Sequence, residues 1–246
     1  MNQPGERYDY ACVFVLPVFN EATIVEQSVT LLMEGACHSF GPEERWKIVV
    51  IDNGSTDDTL AIAHRFAQDH KTITVLSCPR PGRGNAIKKA LSTFQSSQMY
   101  CYLDIDIPID THDIARVMAP IVEGRADMVI PRRCGSRPLV RRLLSLCYRA
   151  LFFSFFHLPY GDVQAGVKVF SRRIASLILE ACNEEGYFLD TECVVIARNR
   201  GYAIQEVPIA WIEKRYANRK SKISPIRDSV LALRALARIW RRIHNV

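Results

Sequence analysis

Lys47-Ile48-Val49-Val50-Ile51-Asp52-Asn53-Gly54-Ser55-Thr56-Asp57-Asp58-Thr59 is the stretch on which the fold turns. Its first five residues are apolar without alternation, as in a strand buried on both faces, and they run into a carboxylate, a turn and a helical pattern over 57–68. The same unit precedes it, where Cys12-Val13-Phe14-Val15-Leu16 leads into a helix over about 21–35. It recurs at 72–76 with a helix at 85–93, and Tyr100-Cys101-Tyr102-Leu103 then runs into Asp104. Repeated βα units of this kind predict an α/β fold with a mostly parallel central sheet and helices on both faces. Ligands of such sheets bind beyond the carboxyl ends of the strands. Segments 17–21, 52–55, 79–84 and 104–106 each follow a strand and are therefore expected along one rim.

Past residue 130 the character changes. Residues 137–158 are rich in Leu, Phe and Arg and read as helices at an interface. A strand at 166–170, helices at 172–182 and 190–199, and a late strand at 202–207 complete the expected core. A basic helix over 225–243 carries Ile226, Val230, Leu233, Ala237 and Trp240 on one stripe. The expected organisation is one catalytic domain over 1–212, with a donor half at about 10–130 and an acceptor half at about 131–212. Residues 213–246 form a basic amphipathic segment.

A chain of 246 residues has room for one large α/β domain, and 24% charged with 48% hydrophobic residues excludes a disordered chain. The eight cysteines are scattered, never as C-x-x-C, and read as reduced core thiols rather than disulfides or a zinc site. The first residues lack the basic and apolar regions of a signal peptide. No apolar stretch reaches the roughly 20 residues that span a bilayer; the longest candidate, 143–158, is shorter and carries Arg149. The expected location is the cytoplasm, peripherally on the cytosolic face of a membrane. The net charge of +6 is concentrated after Glu213 and between Arg132 and Arg149. Such asymmetry implies an anionic partner.

Two motifs carry chemistry. After Ile51, the plain reading of 52–59 is a turn in which Ser55 or Thr56 caps the next helix; a carboxylate there can also meet a nucleobase NH. Asp104 and Asp106 lie two apart beyond a strand end, where they repel, and stay ionised most easily by sharing a hard cation such as Mg²⁺ or Mn²⁺. The alternative is two carboxylates facing water.

In order, P-x-x-N-E, D-x-G-S-x-D-x-T and D-x-D resemble the family-2 glycosyltransferases of the GT-A fold. Residues 161–172, Gly-Asp-Val-Gln-Ala-Gly-Val-Lys-Val-Phe-Ser-Arg, are similar to the D-x-Q-x-G-x-K-x-F-x-R segment of dolichyl-phosphate and polyprenyl-phosphate mannosyl- or glucosyltransferases. Phe188-Leu189-Asp190-Thr191-Glu192, Glu206-Val207-Pro208-Ile209 and Ser221-Lys222-Ile223 match further signatures of that group. The resemblance covers roughly 10–240.

It implies that Pro17, Phe19, Asn20 and Glu21 cradle the nucleoside, with Glu21 on the ribose and Asp52 on the base. Asn53, Ser55 and Arg83 complete the nucleotide-sugar set, and Asp104 and Asp106 hold Mg²⁺ or Mn²⁺ against the diphosphate. Arg133, Arg141, Arg142, Arg215 and Lys222 would contact the acceptor phosphate; Arg133 and Lys222 join the aspartates as catalytic. Asp162, Gln164, Lys168, Asp190 and Glu192 would stand on the acceptor side. Two positions depart from the pattern: Asn53 replaces the second acid of D-D-G-S, and Pro108 stands where mannosyltransferases of this kind often carry a Gln.

The implied reaction is inverting transfer of a hexose from GDP-mannose or UDP-glucose to a polyprenyl or dolichyl monophosphate, beside an anionic membrane surface. A dianionic phosphate needs positioning by cations rather than a strong base, whereas a sugar hydroxyl needs a carboxylate base. Asp162, Asp190 and Glu192 keep the hydroxyl acceptor open, and a non-catalytic nucleotide-sugar scaffold is a third reading. No nucleic-acid motif accompanies the basic helix. Pattern does not separate guanine from uracil, nor does it carry a signal for oligomeric state.

Overall fold

The computed structural model describes residues 8–41, 45–135, 139–212, 216 and 225–244; for 140, 141 and 225–228 only the backbone is described. The elements in chain order are β1 (Tyr10–Val18), α1 (Val25–Phe40), β2 (Trp46–Asp52), α2 (Thr59–Gln68), β3 (Ile73–Ser77), α3 (Arg83–Thr93) and β4 (Ser97–Leu103). A short turn of helix at Thr111–Asp113 and α4 (Ile114–Val122) lead to β5 (Met128–Cys134). The remainder is α5 (Leu139–Phe156), β6 (Val167–Ser171), α6 (Arg172–Ala181), α7 (Leu189–Asn199), β7 (Ile204–Ala210) and α8 (Pro225–His244).

The strands form one sheet in the order β3-β2-β1-β4-β6-β5-β7. β1 to β4 run parallel, β6 lies antiparallel between β4 and β5, and β7 is parallel to β5. Successive residues of a strand face opposite sides. Phe14, Leu16, Ile48 and Val50 pack with α1 and α4, while Val13, Val15, Val49 and Ile51 pack with α3, α6 and α7. Both sets are fully buried, which is why these strands read as continuous apolar runs.

The order β3-β2-β1-β4 places the topological switch between β1 and β4, since the chain builds outward from β1 to one side and then returns to the other. Register brings Val18 level with Asp52 and Asp52 level with Ser77, so the ends of β1, β2 and β3 share one edge. Val15 opposite Tyr102 brings the end of β4 to the same edge. The expected rim is formed. Beyond it the chain reverses: Asp104 donates its N–H to the Gly166 carbonyl at 2.7 Å, and β6 returns antiparallel along β4.

Residues 137–158 were expected as more than one helix; the described part is the single helix α5. The thiols are less uniformly internal than expected. Cys12, Cys78, Cys101, Cys182 and Cys193 are buried, but Cys134 and Cys147 are exposed, and all eight are free.

Candidate functional site

The floor of the rim is a mesh of side chain to backbone bonds between two loops. Asn20 donates its N–H to Ser55 Oγ at 2.9 Å and accepts from the Thr56 N–H at 2.8 Å. The Glu21 N–H is bound by Thr59 Oγ1 at 2.8 Å. Asp52, nearly buried, accepts from the Gly54 and Ser55 amides at 3.2 Å, so its carboxylate closes its own turn. Gly54 sits there at φ +84°, a conformation that needs no Cβ. Asn53 accepts from the Gly82 N–H at 2.6 Å, linking this loop to the start of α3.

Neither Ser55 nor Thr56 caps α2: the cap position is Asp58, whose side chain makes no cap bond. The Thr59 N–H is met instead by the preceding Asp57 at 3.0 Å, which also accepts from the Ala22 N–H at 3.2 Å. Ser55 and Thr56 are already committed to Asn20. Burial works against the Asp57 charge, but hydrogen bonds from Thr59 and from the Ala22 amide outweigh it and lower its pKa. Phe19 stands exposed above this floor, with Pro17 half-buried and Glu21 buried.

Asp104 and Asp106 are half-buried and follow β4 at the switch point. Two non-glycine residues here have positive φ, Asn20 at 51° and Ile107 at 41°. For β-branched Ile107 this is strained, and such strain collects at functional sites. The Ile107 N–H closes a tight turn onto the Asp104 carbonyl at 3.0 Å. Gly166 lies against Asp104 so closely that a Cβ there would collide with the carboxylate.

Among the described residues no group of three or more His, Cys, Asp or Glu is arranged to hold an ion by itself. Mg²⁺ is commonly held by one or two carboxylates plus substrate phosphates and water. A carboxylate pair, one member cradled in space that only glycine leaves, fits a hard cation that arrives with a diphosphate.

Behind Asp104 lies a buried charged network. The Arg83 guanidinium is 3.1 Å from Asp104 Oδ1 and 3.5 Å from Asp190 Oδ2. It bonds the Tyr102 hydroxyl and lies within cation–π reach of two rings, Tyr102 at 4.8 Å and Tyr187 at 5.4 Å. Tyr102 OH can donate to Asp190 Oδ2 at 2.8 Å or to the Ala165 carbonyl at 3.1 Å. Lys168, 1% exposed, donates to the Ala165 carbonyl at 2.7 Å and pairs with Asp190 at 3.4 Å. Burial lowers the Lys168 pKa and Asp190 opposes that shift. Burial also works against Arg83, but Asp104, Tyr102 and Asp190 outweigh it and leave its pKa raised. Burial raises Tyr102 well above the ordinary range, which keeps it a donor.

Arg133, at the end of β5, forms a two-point ion pair with Asp162 and lies 4.9 Å over the Trp211 ring. Trp211 reaches this place through a bridge to Ile109, in the loop after Asp106, and its backbone N–H donates to the Cys134 carbonyl at 3.2 Å. Gln164 instead ties α5 to α7, donating to Thr191 Oγ1 at 2.6 Å and Tyr148 OH at 3.3 Å. Glu192, fully buried, faces α8. It accepts from the Asn183 and Glu184 amides at 2.8 and 2.6 Å and pairs with Arg242. Its pKa is raised by burial, against the pull of those amides and of Arg242. Arg142 is exposed on α5. The Arg141 side chain, Arg215 and Lys222 lie outside the described residues.

Helices α5 and α8 lie side by side. The stripe expected on α8 is not the one it buries. Ala232, Ala235, Leu236 and Ile239 pack inward, while Val230, Leu233 and Trp240 face out; the Ile226 side chain is outside the described set. Alanines allow close helix approach, so the face with less apolar bulk is the one taken by the core. On α5, Phe152 is buried and Phe155 and Phe156 pack against the core, whereas Phe153, Leu139, Leu143 and Leu146 are exposed. Arg142, Arg149, Arg234, Arg238 and Arg241 are exposed among them. No helix of the described residues is long and apolar enough to cross a membrane.

The sheet, its switch point and the rim define a GT-A-type α/β domain architecture. Glucosyl-3-phosphoglycerate synthase from Mycobacterium tuberculosis, crystallised with Mn²⁺, uridine diphosphate and phosphoglyceric acid, matches with a TM-score of 0.72 at 21% identity. That match covers 95% of this chain and 78% of the synthase, and shows the fold. The chain belongs to glycosyl transferase family 2, whose model matches residues 13–150. It is 28% identical to glycosyltransferase AglD of Haloferax volcanii over 98% of its own length, but spans only 40% of AglD. It is 26% identical to the dolichyl-phosphate beta-glucosyltransferase ALG5C of Trichomonas vaginalis, covering 97% of this chain and 73% of that protein. Identity to the dolichyl-phosphate beta-glucosyltransferase of Saccharomyces cerevisiae is 23%, over 81% of this chain and 66% of the yeast protein.

Tyr102, Trp211, Tyr148 and Thr191 join the site without having been singled out in sequence. Tyr102 sits inside a strand and reads there as one more apolar residue. Trp211 follows the last strand, and its place over Arg133 depends on a bridge to a loop a hundred residues earlier.

Proposed function

We propose that this chain transfers glucose from UDP-glucose to a polyprenyl or dolichyl monophosphate, with inversion, at the cytosolic face of an anionic membrane. The observation that carries the reading is the Asp104 carboxylate, seated against Gly166 at the switch point and bordered by Arg83. The choice of sugar and acceptor rests on relatives named as dolichyl-phosphate beta-glucosyltransferases. A structural neighbour crystallised with Mn²⁺ and UDP-glucose supports uridine over guanosine. On this reading residues 1–212 are the catalytic domain, donor half first, and 213–246 the basic segment that meets the membrane.

Pro17, Phe19, Asn20 and Glu21 line the nucleoside side, with Asp52, Asn53 and Ser55 shaping the loop beneath. Asp104 and Asp106 would hold Mg²⁺ or Mn²⁺, which when bound neutralises charge developing on the leaving diphosphate. Arg83 adds a preorganised positive charge on the same side, and stabilisation of this kind is usually the largest catalytic contribution. Asp162 holds Arg133 by its Nε–Nη2 edge, which leaves Nη1 for the acceptor phosphate, and Arg142 is exposed on α5. Arg141, Arg215 and Lys222, outside the described side chains, are proposed as further phosphate contacts on the sequence resemblance alone. Lys168 and Asp190 hold Arg83 and the 165–166 backbone in place.

A sugar-hydroxyl acceptor would need a carboxylate base. Asp162 is paired with Arg133, Asp190 with Arg83 and Lys168, and Glu192 with Arg242. Each candidate base is already engaged by a cation, which favours a nucleophile that brings its own negative charge. Exposed Leu143, Leu146, Leu233 and Trp240 among arginines suit the boundary of an anionic bilayer, where a polyprenyl chain is dissolved. The test is a panel of radiolabelled UDP-glucose, GDP-mannose and other nucleotide sugars with polyprenyl phosphate in detergent. UDP-glucose should label the lipid fastest. Labelling by none of the donors would overturn the proposal.

A further inference from the structure

Arg83 is placed to act on Asp104 before any donor arrives. Its side chain is only 10% exposed, whereas the Asp104 side chain, at the rim, is 42% exposed. Its Nη2 meets Asp104 at 3.1 Å, its Nη1 meets Asp190 at 3.5 Å, and the rings of Tyr102 and Tyr187 lie 4.8 and 5.4 Å away. Its Nε is buried and has no hydrogen-bond partner among the described residues. A buried guanidinium donor without an acceptor is uncommon and calls for a ligand or a second arrangement.

We infer that Arg83 is an internal counter-ion that occupies Asp104 in the empty enzyme and makes binding of the divalent cation and of the nucleotide diphosphate mutually dependent. This rests on the donor-site reading above. A carboxylate already neutralised by a guanidinium is a poor ligand for a dication, and a dication placed there is repelled by Arg83. A diphosphate reverses both effects. Its oxygens match the guanidinium fork, whose unused Nε supplies a donor while the Asp190 side of the fork keeps its place. Arg83 thus disfavours bare metal and favours metal with diphosphate, and linkage requires the same factor in both directions.

Mn²⁺ binding to the full chain is read from the loss of the free-ion electron paramagnetic resonance signal, with and without UDP. UDP binding is read by calorimetry, with and without Mn²⁺. Wild-type chain should bind bare Mn²⁺ weakly and gain about tenfold or more when UDP is present, within the usual range of coupled sites. Arg83→Gln should bind bare Mn²⁺ about fivefold tighter or more, bind UDP more weakly at saturating Mn²⁺, and show a smaller coupling factor. Arg83→Lys keeps the charge but loses the fork, so it should move bare Mn²⁺ affinity in the same direction by less; it carries the test if Arg83→Gln does not fold. Bare Mn²⁺ affinity equal to or weaker than wild type in the folded variants overturns the inference and leaves the donor site standing. A wild-type chain that binds neither Mn²⁺ nor UDP overturns the donor-site reading itself.

Discussion

Gly166 and Asp104 are packed so closely that a Cβ on Gly166 would displace the Asp104 carboxylate, and the same two residues share the hydrogen bond that turns the chain from β4 toward β6. One glycine therefore joins the fold to the carboxylate at the centre of the site. Gly166 does not have a positive φ, so its requirement is space and not backbone freedom.

Gly166→Ala should therefore spare the fold and injure the site. The added methyl meets the movable end of the Asp104 side chain, which can swing aside at a cost of about 1 kcal/mol, or a few degrees in Tm. A misplacement of about 1 Å at a reacting centre costs on the order of 100-fold in kcat/KM. Thermal melts and initial rates on the same preparation check this; a large fall in Tm with unchanged kcat/KM would contradict it.

Arg242→Ala should loosen α8. It leaves Glu192, fully buried, with two backbone amides as its hydrogen-bond partners among the described residues. Breaking a buried pair costs about 3–5 kcal/mol, and partial exposure of Arg242 reduces this to roughly 2–3 kcal/mol. Arg241→Ala, at an exposed position on the same turn, should stay within about 0.5 kcal/mol. Urea unfolding of the two variants separates them, and equal midpoints would contradict the assignment.

Stability should fall in alkali. Burial pushes both Tyr100 and Tyr148 up to about 12. Unfolded tyrosine titrates near ~10, so between these values the folded chain holds protons that the unfolded chain releases. The contribution is fully present below about pH 10 and is lost as pH rises toward 12, at up to about 1.4 kcal/mol per unit for each fully buried group. Burial also raises the Cys12 and Cys101 thiols, and unfolded Cys titrates near ~8.5. Urea unfolding at pH 7, 9 and 11 should therefore show a loss that begins by pH 9 and steepens in the last interval, where Tyr148→Phe should make it shallower. A flat profile would contradict the burial of these hydroxyls.

The outward face of α5 and α8 should bind anionic vesicles. Leu143, Leu233 and Trp240 are each at least two-fifths exposed and lie outside the two core clusters, with Trp240 stacked on His244 at the end of α8. Replacing all three with Ser should lower partitioning by roughly tenfold or more, given about 1–2 kcal/mol for each side chain withdrawn from water, while leaving Tm nearly unchanged. Co-sedimentation at two salt concentrations measures this; undiminished binding of the triple variant would move the docking surface elsewhere.

The sheet was legible because β1, β2 and β4 are buried on both faces, and each ends at a polar motif whose position follows from the strand before it. The same logic placed Asn20, Asp52 and Asp104 on one edge. What was not legible depends on distant packing. Glu192 matched an acceptor-side signature, yet its carboxylate is taken by α8 and by amides of the 183–184 loop. Val230, Leu233 and Trp240 form a valid helical stripe, but α8 has two apolar faces and periodicity alone does not say which one meets the core. Ser55 and Thr56 were sound caps by local rules until Asn20, across the rim, claimed both.

The central claim is that a lipid phosphate receives the sugar, and it is tested by offering polyprenyl phosphate and the matching unphosphorylated polyprenol side by side with radiolabelled UDP-glucose. The account predicts label in the organic phase with the phosphate alone, lost when Asp104 is replaced by Ala. Equal labelling of the polyprenol, or transfer to a soluble sugar while polyprenyl phosphate stays unlabelled, would contradict it.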